Sequence, residues 1–186
     1  FMGEEYGEPR PFLYFISHSD PALIEGVREG RKKEFAAFHA EGEAPDPQSE
    51  TTFAASRLQW DLRKTGRYGQ LRDFYRESLR LRRELPALAR LDNASLTATP
   101  IAPTVLELRR WRDDNQVVAW MNFAAEPATV TVVPGAGSWR KQLDAADSVW
   151  GGDGSSLPMQ LADGALSNSL ALPPYAAVVY VAGVPA

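Results

Sequence analysis

The residues with the clearest chemical potential are acidic and sit in the opening segment. Phe1-Met2-Gly3-Glu4-Glu5-Tyr6-Gly7-Glu8 passes from apolar to sharply acidic within a few residues. Two readings fit. It is the end of a buried parallel strand, which would present Glu4 and Glu5 at the active-site rim of a barrel, or it is a loop carrying solvated glutamates. Other chemistry is excluded more firmly. With no cysteine there is no disulfide framework, thiolate metal site or thiol nucleophile. Two histidines, His18 and His39, are too few for a multi-histidine metal cage. The glycines of 151–154 lack the strand-to-helix setting of a phosphate-binding turn and read as a plain loop.

The chain that must position these groups has 186 residues, 44% hydrophobic and 24% charged, with a net charge of −4. That suits one globular domain or two small ones. The acidic balance argues against a nucleic-acid partner, and no apolar run approaches the ~20 residues that would span a bilayer. The opening has neither the basic region nor the apolar core of a signal peptide; it reads as a chain cut from something longer. Residues 1–90 hold 15 basic and 15 acidic residues, whereas 91–186 hold 5 and 9. The first half is helix-like and the second is rich in Val, Thr, Ala, Gly and Pro. Helices followed by strands imply two structural units, with a boundary near residues 89–93.

Three helices are expected in the first half. Asp20-Pro21 supplies an N-cap and a proline at the first helical position; Leu23, Ile24, Val27, Phe35 and Phe38 follow as an apolar stripe, ended by Gly42 and Pro45. Ser49 opens a shorter helix through Thr52, Phe53, Ala54, Ala55 and Leu58 to Trp60. From Gly69, Leu71, Phe74, Tyr75, Leu79, Leu81 and Leu85 recur at three- and four-residue spacing until Pro86. The opposite face (Arg72, Arg76, Arg80, Arg83) reads as solvated. In the second half, 105–111 and 117–123 alternate around an Asp113-Asp114-Asn115 turn, a hairpin signal. Segments 129–133, 139–143, 165–172 and 175–182 complete about seven short strands, as in an antiparallel sandwich. Trp111, Trp120, Trp139 and Trp150 fall here and read as core, with a surface site for starch-type glucans as the alternative.

The motifs carry a resemblance. Gly3-Glu4-Glu5 after an apolar strand end is similar to the eighth strand and following loop of the alpha-amylase superfamily barrel, glycoside hydrolase family 13. Leu71 to Leu88, ending in Leu81-Arg82-Arg83 ahead of Pro86-Ala87-Leu88, resembles the last barrel helix of that superfamily. The insertion between them narrows the match. Pro11-Phe12-Leu13-Tyr14-Phe15, Ser19-Asp20-Pro21, Val27-Arg28-Glu29-Gly30-Arg31, Glu34-Phe35, Pro45-Asp46-Pro47-Gln48 and Trp60-Asp61 resemble the maltooligosyltrehalose trehalohydrolases. The similarity is specific over residues 1–88 and generic beyond residue 90.

The resemblance implies an α+β fragment: the last strand, a loop insertion and the last helix of a (β/α)8 barrel over 1–90, followed by an antiparallel β-sandwich over 91–186. It implies a retaining hydrolase with two carboxyl groups ~5–5.5 Å apart, releasing trehalose from maltooligosyl trehalose without metal or organic cofactor. The catalytic carboxylates of such an enzyme would lie upstream of Phe1, so the fragment alone is expected to be inactive, with no catalytic residue of its own. Glu4, Glu5, Tyr6, Phe12, Tyr14 and Phe15 are the candidate substrate-binding residues, since aromatic faces stack on sugar rings and carboxylates accept hydroxyl hydrogen bonds. His18, in the same loop, is a structural hydrogen-bonding residue or a sugar contact. Expected partners are the α-glucan, through the parent enzyme, and the upstream barrel segment; no nucleic acid or membrane is expected. A bacterial, cytoplasmic setting is implied. Two other readings compete: a glucan-binding or purely structural sandwich module, and the equivalent region of a glycogen branching or debranching enzyme. One strand and one helix cannot close a barrel, so exposed apolar surface is expected on 1–88. That surface would pack on the sandwich, pair with a second copy or hold an upstream piece.

Overall fold

The computed structural model describes residues 1–37, 44–90, 92–135, 137–161 and 167–182. Phe38, His39, Gly42 and the first two positions of the strand expected at 165–172 lie outside the described residues. The chain divides into two compact units, Phe1–Tyr68 and Gly69–Ala186. The division falls earlier than residues 89–93, because the long helix before Pro86 packs with the strands.

In the first unit α1 spans Pro21–Ala37. The Asp20 side chain accepts from the Ala22 amide (2.9 Å), and Pro21 fills a position whose N–H would have no helical partner. Its apolar stripe is only half-buried, and Leu23 is exposed. α2 is Glu50–Ala55, with the Ser49 hydroxyl accepting from the Thr51 amide. It stops well short of Trp60, where the sequence pattern would carry it. The Arg10 guanidinium takes the Ala54 and Arg57 carbonyls (3.3 and 2.9 Å), and the Glu8 carboxylate takes the Gln59 amide (2.7 Å). Backbone groups satisfied from outside need no further helical turn.

No strand forms at Phe1-Met2. A parallel strand needs ladder partners, and the described residues supply none there. Instead Gly3 and Gly7, both with left-handed φ (91° and 72°), bracket one 3₁₀ turn, Glu4–Tyr6. Gly3 is needed twice over: a Cβ there would lie 2.7 Å from the Glu8 Cβ.

The second unit opens with α3 (Gly66–Glu84, beginning just inside the first unit) and the short α4 (Pro86–Ala89). Among the described residues eight strands follow: β1 Leu96–Ala102, β2 Val105–Arg112, β3 Asn115–Asn122, β4 Ala128–Val132, β5 Trp139–Asp144, β6 Gln160–Leu161, β7 Asn168–Leu172 and β8 Ala177–Ala182. They form an antiparallel sheet ordered β1-β2-β3-β8-β5-β6 and a two-stranded antiparallel sheet, β4-β7. Strand β1 is unforeseen in the sequence reading. It is an edge strand holding Pro100, which only an edge tolerates, and its polar pattern follows from that exposure. The hairpin β2–β3 turns at Asp113, whose φ is +49°, a left-handed conformation that a short polar side chain tolerates.

The large sheet is buried on both faces. On one, Val118, Trp120, Val178 and Tyr180 meet Val130, Val132, Leu170 and Leu172 of β4-β7. On the other, Val117, Leu143 and Val181 meet Leu81, Leu85 and Ala87 of the helical segment, with Phe74 set edge-on to Trp150 at 5.8 Å. Leu79, expected in the helix stripe, falls off this face and is exposed. Asn115 ties the layers: its Oδ1 accepts from the Ala87 amide (3.0 Å) and its Nδ2 donates to the Ala182 carbonyl (3.4 Å). The Lys141–Asp144 pair is buried and satisfied, Nζ donating to Asp144 (3.0 Å) and to the Leu157 carbonyl (2.9 Å).

Leu170 is 1% exposed and central to the core. Leu170→Ala is expected to destabilise the second unit by about 2–5 kcal/mol in urea denaturation followed by near-ultraviolet circular dichroism. Arg76→Ala, on the solvated face of α3, should stay within about 0.5 kcal/mol of the parent.

Candidate functional site

A cluster of polar and aromatic groups surrounds Glu8 in the first unit. Its carboxylate accepts from the Tyr6 hydroxyl (2.8 Å), the Gln59 amide (2.7 Å), the Gln59 side chain (3.3 Å) and the Arg10 amide (3.0 Å). Partial burial alone would push its pKa up. The hydrogen bonds from Gln59, Arg10 and Tyr6 outweigh that and hold it below the ordinary carboxylate value. Tyr6 responds the opposite way: burial, then its hydrogen bond to Glu8 and the charge of that carboxylate, push its hydroxyl up to about 12. Glu8 is therefore a fixed anion and Tyr6 a fixed donor.

Two residues of this cluster, Arg10 and Gln59, also line an open groove of about 750 Å³, with Ala54, Leu58, Trp60, Asp61 and Thr65 among others. Trp60 is 50% exposed. Its ring lies 6.3 Å from Tyr6 and 5.5 Å from the Arg63 guanidinium. The groove thus offers an aromatic face with both charges at its margin, a setting suited to a hydroxyl-rich ring. The shifted carboxyl groups elsewhere among the described residues, Asp46 and Glu77, are also lowered, by hydrogen bonds from Arg28 and Arg80 respectively. Neither these nor Glu8 has the raised pKa that a general acid requires.

The six residues singled out in the sequence are not brought to one point. Glu5 accepts from the Gly3 amide (3.1 Å), and Glu4 is exposed. Tyr6 is 1% exposed, and what it offers a ligand is indirect, through Glu8. Phe12 is 74% exposed, and its ring lies tilted against that of Phe1, centroids 5.1 Å apart. Phe15 meets Phe53 edge-on at 5.2 Å, and Tyr14 lies under the Arg31 guanidinium at 5.0 Å. Tyr14 and Phe15 are exposed, and Tyr14 lines a second groove with Val27, Gly30 and Glu34. The main chain of His18 exchanges two hydrogen bonds with the Gln48 side chain (3.2 and 3.0 Å), a structural role. Glu8, Arg10, Gln59 and Arg63 were missed as site residues by the sequence reading. The signal available was Gly7-Glu8, where a glycine turn delivers a carboxylate into the fold.

The sign of the Glu8 shift fixes a pH dependence. A carboxyl group lowered by folding contributes stability above its unfolded value and loses it as pH falls through the folded value. The Gln59 amide and the Tyr6–Trp60 contact should loosen on acidification below about pH 4. Glu8→Gln should flatten that transition and weaken the contact at neutral pH. Amide chemical shifts and Trp60 fluorescence across an acid titration are the measurement.

Comparison with known proteins supplies the context. No protein-family model matches the chain. It is 40% identical over 131 residues to the malto-oligosyltrehalose trehalohydrolase of Rhizobium sp. (strain M-11), a match covering 70% of this chain and 22% of that protein. The enzyme of the same name from Saccharolobus solfataricus is 45% identical over 84 residues, 45% of this chain and 13% of that one. The Mycobacterium tuberculosis enzyme is 36% identical over 137 residues, 71% and 22% respectively. The chain thus spans about a fifth of the length of the curated relatives it matches over most of its residues. Among solved structures, a Salmonella typhimurium protein assigned as an alpha amylase matches with TM-score 0.70 and 30% identity, over 98% of this chain and 27% of that one. Isomaltulose synthase from Klebsiella sp. LX3 matches with TM-score 0.55 at 15% identity, over 96% and 34%, a likeness of fold alone. The chain is therefore homologous over part of its length to the malto-oligosyltrehalose trehalohydrolases, and its structural neighbours are enzymes of the alpha-amylase family, glycoside hydrolase family 13.

Proposed function

We propose that this chain is part of a longer bacterial, cytoplasmic retaining hydrolase that cleaves the α-1,4-glucosidic bond next to the trehalose end of maltooligosyl trehalose and releases trehalose. The observation that carries the reading is the 40% identity over 131 residues to a trehalohydrolase. In this reading the first unit contributes the margin of the active site and the second braces the barrel. The nucleophile and the acid/base lie in the rest of the protein. The carboxyl groups support that division of labour: Glu8 is occupied by four donors and lowered, and Asp46 and Glu77 are lowered by arginines. A retaining glycosidase needs one carboxyl group raised enough to protonate the leaving oxygen.

The exposed aromatics favour the same reading. Phe1 is 86% exposed, and Met2, Phe12, Tyr14, Phe15, Phe53 and Trp60 are exposed with it. Phe1 meets Phe12 and Phe15 meets Phe53 within this set, and grouped apolar exposure of this kind marks an association surface. In the proposed enzyme, part of it is covered by the upstream barrel and part, with Glu4, Glu5, Tyr14 and Phe15, faces the glucan. In an isolated 186-residue chain the same surface drives self-association.

The test is product analysis. The longer protein containing this sequence should release trehalose and a shortened maltooligosaccharide from maltooligosyl trehalose, resolved by anion-exchange chromatography. The 186-residue chain, incubated alone at the same concentration, should release none. Failure of the longer protein to yield trehalose overturns the substrate, and release by the short chain overturns the placement of the catalytic groups.

A further inference from the structure

We infer that the second unit carries a glucan-binding cleft of its own, built on Trp111 at the turn end of the β2–β3 hairpin. A concavity of about 200 Å³ is lined there by Arg109, Trp111, Asp113, Gln116 and Trp139, together with Arg110 and Val117. Nothing in the comparisons assigns it a role.

The four tryptophans of this unit are not equivalent. Trp120 and Trp139 are fully buried, and each indole N–H has a partner: the Glu107 carboxylate at 2.8 Å and the Gly135 carbonyl at 2.9 Å. Trp150 packs edge-on against Phe74. Trp111 is 39% exposed, and among the described residues its indole N–H makes no hydrogen bond. Directly across the ladder stands Gln116, also exposed, its side-chain amide likewise uncommitted among the described residues. At the turn, the exposed Asp113 carboxylate adds an acceptor.

The rest of the cleft is rigid and electrically quiet. The Arg109 guanidinium is held by both oxygens of Glu107 (2.5 and 2.9 Å) and by the Val133 and Pro134 carbonyls (2.8 and 2.5 Å). Its charge is neutralised, and four of its five N–H groups are committed. Arg110 alternates to the other face of the strand, where it donates to the Arg90 carbonyl (2.5 Å). The groups chiefly left for a ligand are one partly open aromatic face, an indole N–H, an amide and a carboxylate. That set contains no cation itself, and the two lining guanidinium groups are turned elsewhere, Arg109 into Glu107 and Arg110 to the far side of the strand. It matches a neutral ring with an apolar face and peripheral hydroxyls, a pyranose. The cleft is smaller than the ~300 Å³ that encloses a whole small ligand, so it grips one ring of a chain and leaves its neighbours in water. Assignment of that chain as an α-1,4-glucan rests on the function proposed above; the site itself does not.

The test is ¹⁵N nuclear magnetic resonance of the 186-residue chain titrated with maltohexaose at millimolar concentration. The Trp111 indole and Gln116 side-chain resonances should move together. Trp111→Ala should weaken binding about tenfold, and Trp111→Phe, which keeps an aromatic face, should retain most of it with the hairpin intact. Cellohexaose, whose linkages are β-1,4, should shift neither resonance. Absence of any shift at Trp111 and Gln116, or shifts that survive Trp111→Ala, overturns the site. Equal shifts with cellohexaose overturn the α-glucan assignment. Binding requires no catalysis, so a longer protein that releases no trehalose would leave a positive result here standing.

Discussion

The first unit depends on a single carboxylate. Residues 1–19 contain no described α-helix or strand, so their position is set by side chains and loop contacts. Glu8 does most of this by accepting from residues 6, 10 and 59, which joins the opening turn to the segment after α2. Arg10 continues the join at the end of that helix. Further along, the Ile16 amide donates to the Pro47 carbonyl (2.8 Å), and Arg28 holds Asp46 through two hydrogen bonds (2.9 and 2.8 Å). Charge-assisted bonds of this kind are stronger than neutral ones and directional. They stand in for the apolar core that the exposed aromatics of this unit do not form.

The second unit is stabilised in the opposite way. Its large sheet is apolar on both faces, so it needs a cover on each. The two-stranded sheet covers one and the segment of α3 and α4 covers the other. This explains why α3 groups with the strands despite preceding them. Leu81, Leu85 and Ala87 bury against Val117, Leu143 and Val181, while Arg72, Arg76 and Arg80 of α3 pair with Asp73, Glu77 and Glu84 at the surface. Polar atoms in this interior are paired with few exceptions; among the described residues the Arg110 Nε is a buried atom left without a partner.

What the sequence disclosed follows from how local each signal was. Asp20-Pro21, Ser49 and Pro86 act within one turn of helix, and each marks an observed terminus. The β2–β3 hairpin and the alternation of the later strands depend on period-two burial and were equally legible. The extent of α2 was not. Its end is set by Arg10 and Glu8, more than forty residues away in sequence, and no local pattern reports that. The same reasoning applies to β1, whose Pro100 and threonines suit an edge position that only the sheet order reveals. The predicted site was half visible. Acidic and aromatic residues were found, but burial sorted them in a way composition cannot, withdrawing Tyr6 into the fold while leaving Phe12 outside.

That sorting bears on chemistry. A carboxylate becomes a proton donor at neutral pH when its surroundings penalise the charge. Here the surroundings of Glu8, Asp46 and Glu77 favour it through backbone amides and guanidinium groups. Such groups orient and anchor; they do not cycle protons. The same principle governs Trp111. Three of the four tryptophans of the second unit are committed to packing, with the buried N–H groups paired, whereas the fourth stands at a hairpin end beside uncommitted polar groups. The exposed part of the Trp111 ring leaves apolar surface in water. A ligand ring would cover that surface, and the neighbouring Gln116 and Asp113 are placed to meet its hydroxyls.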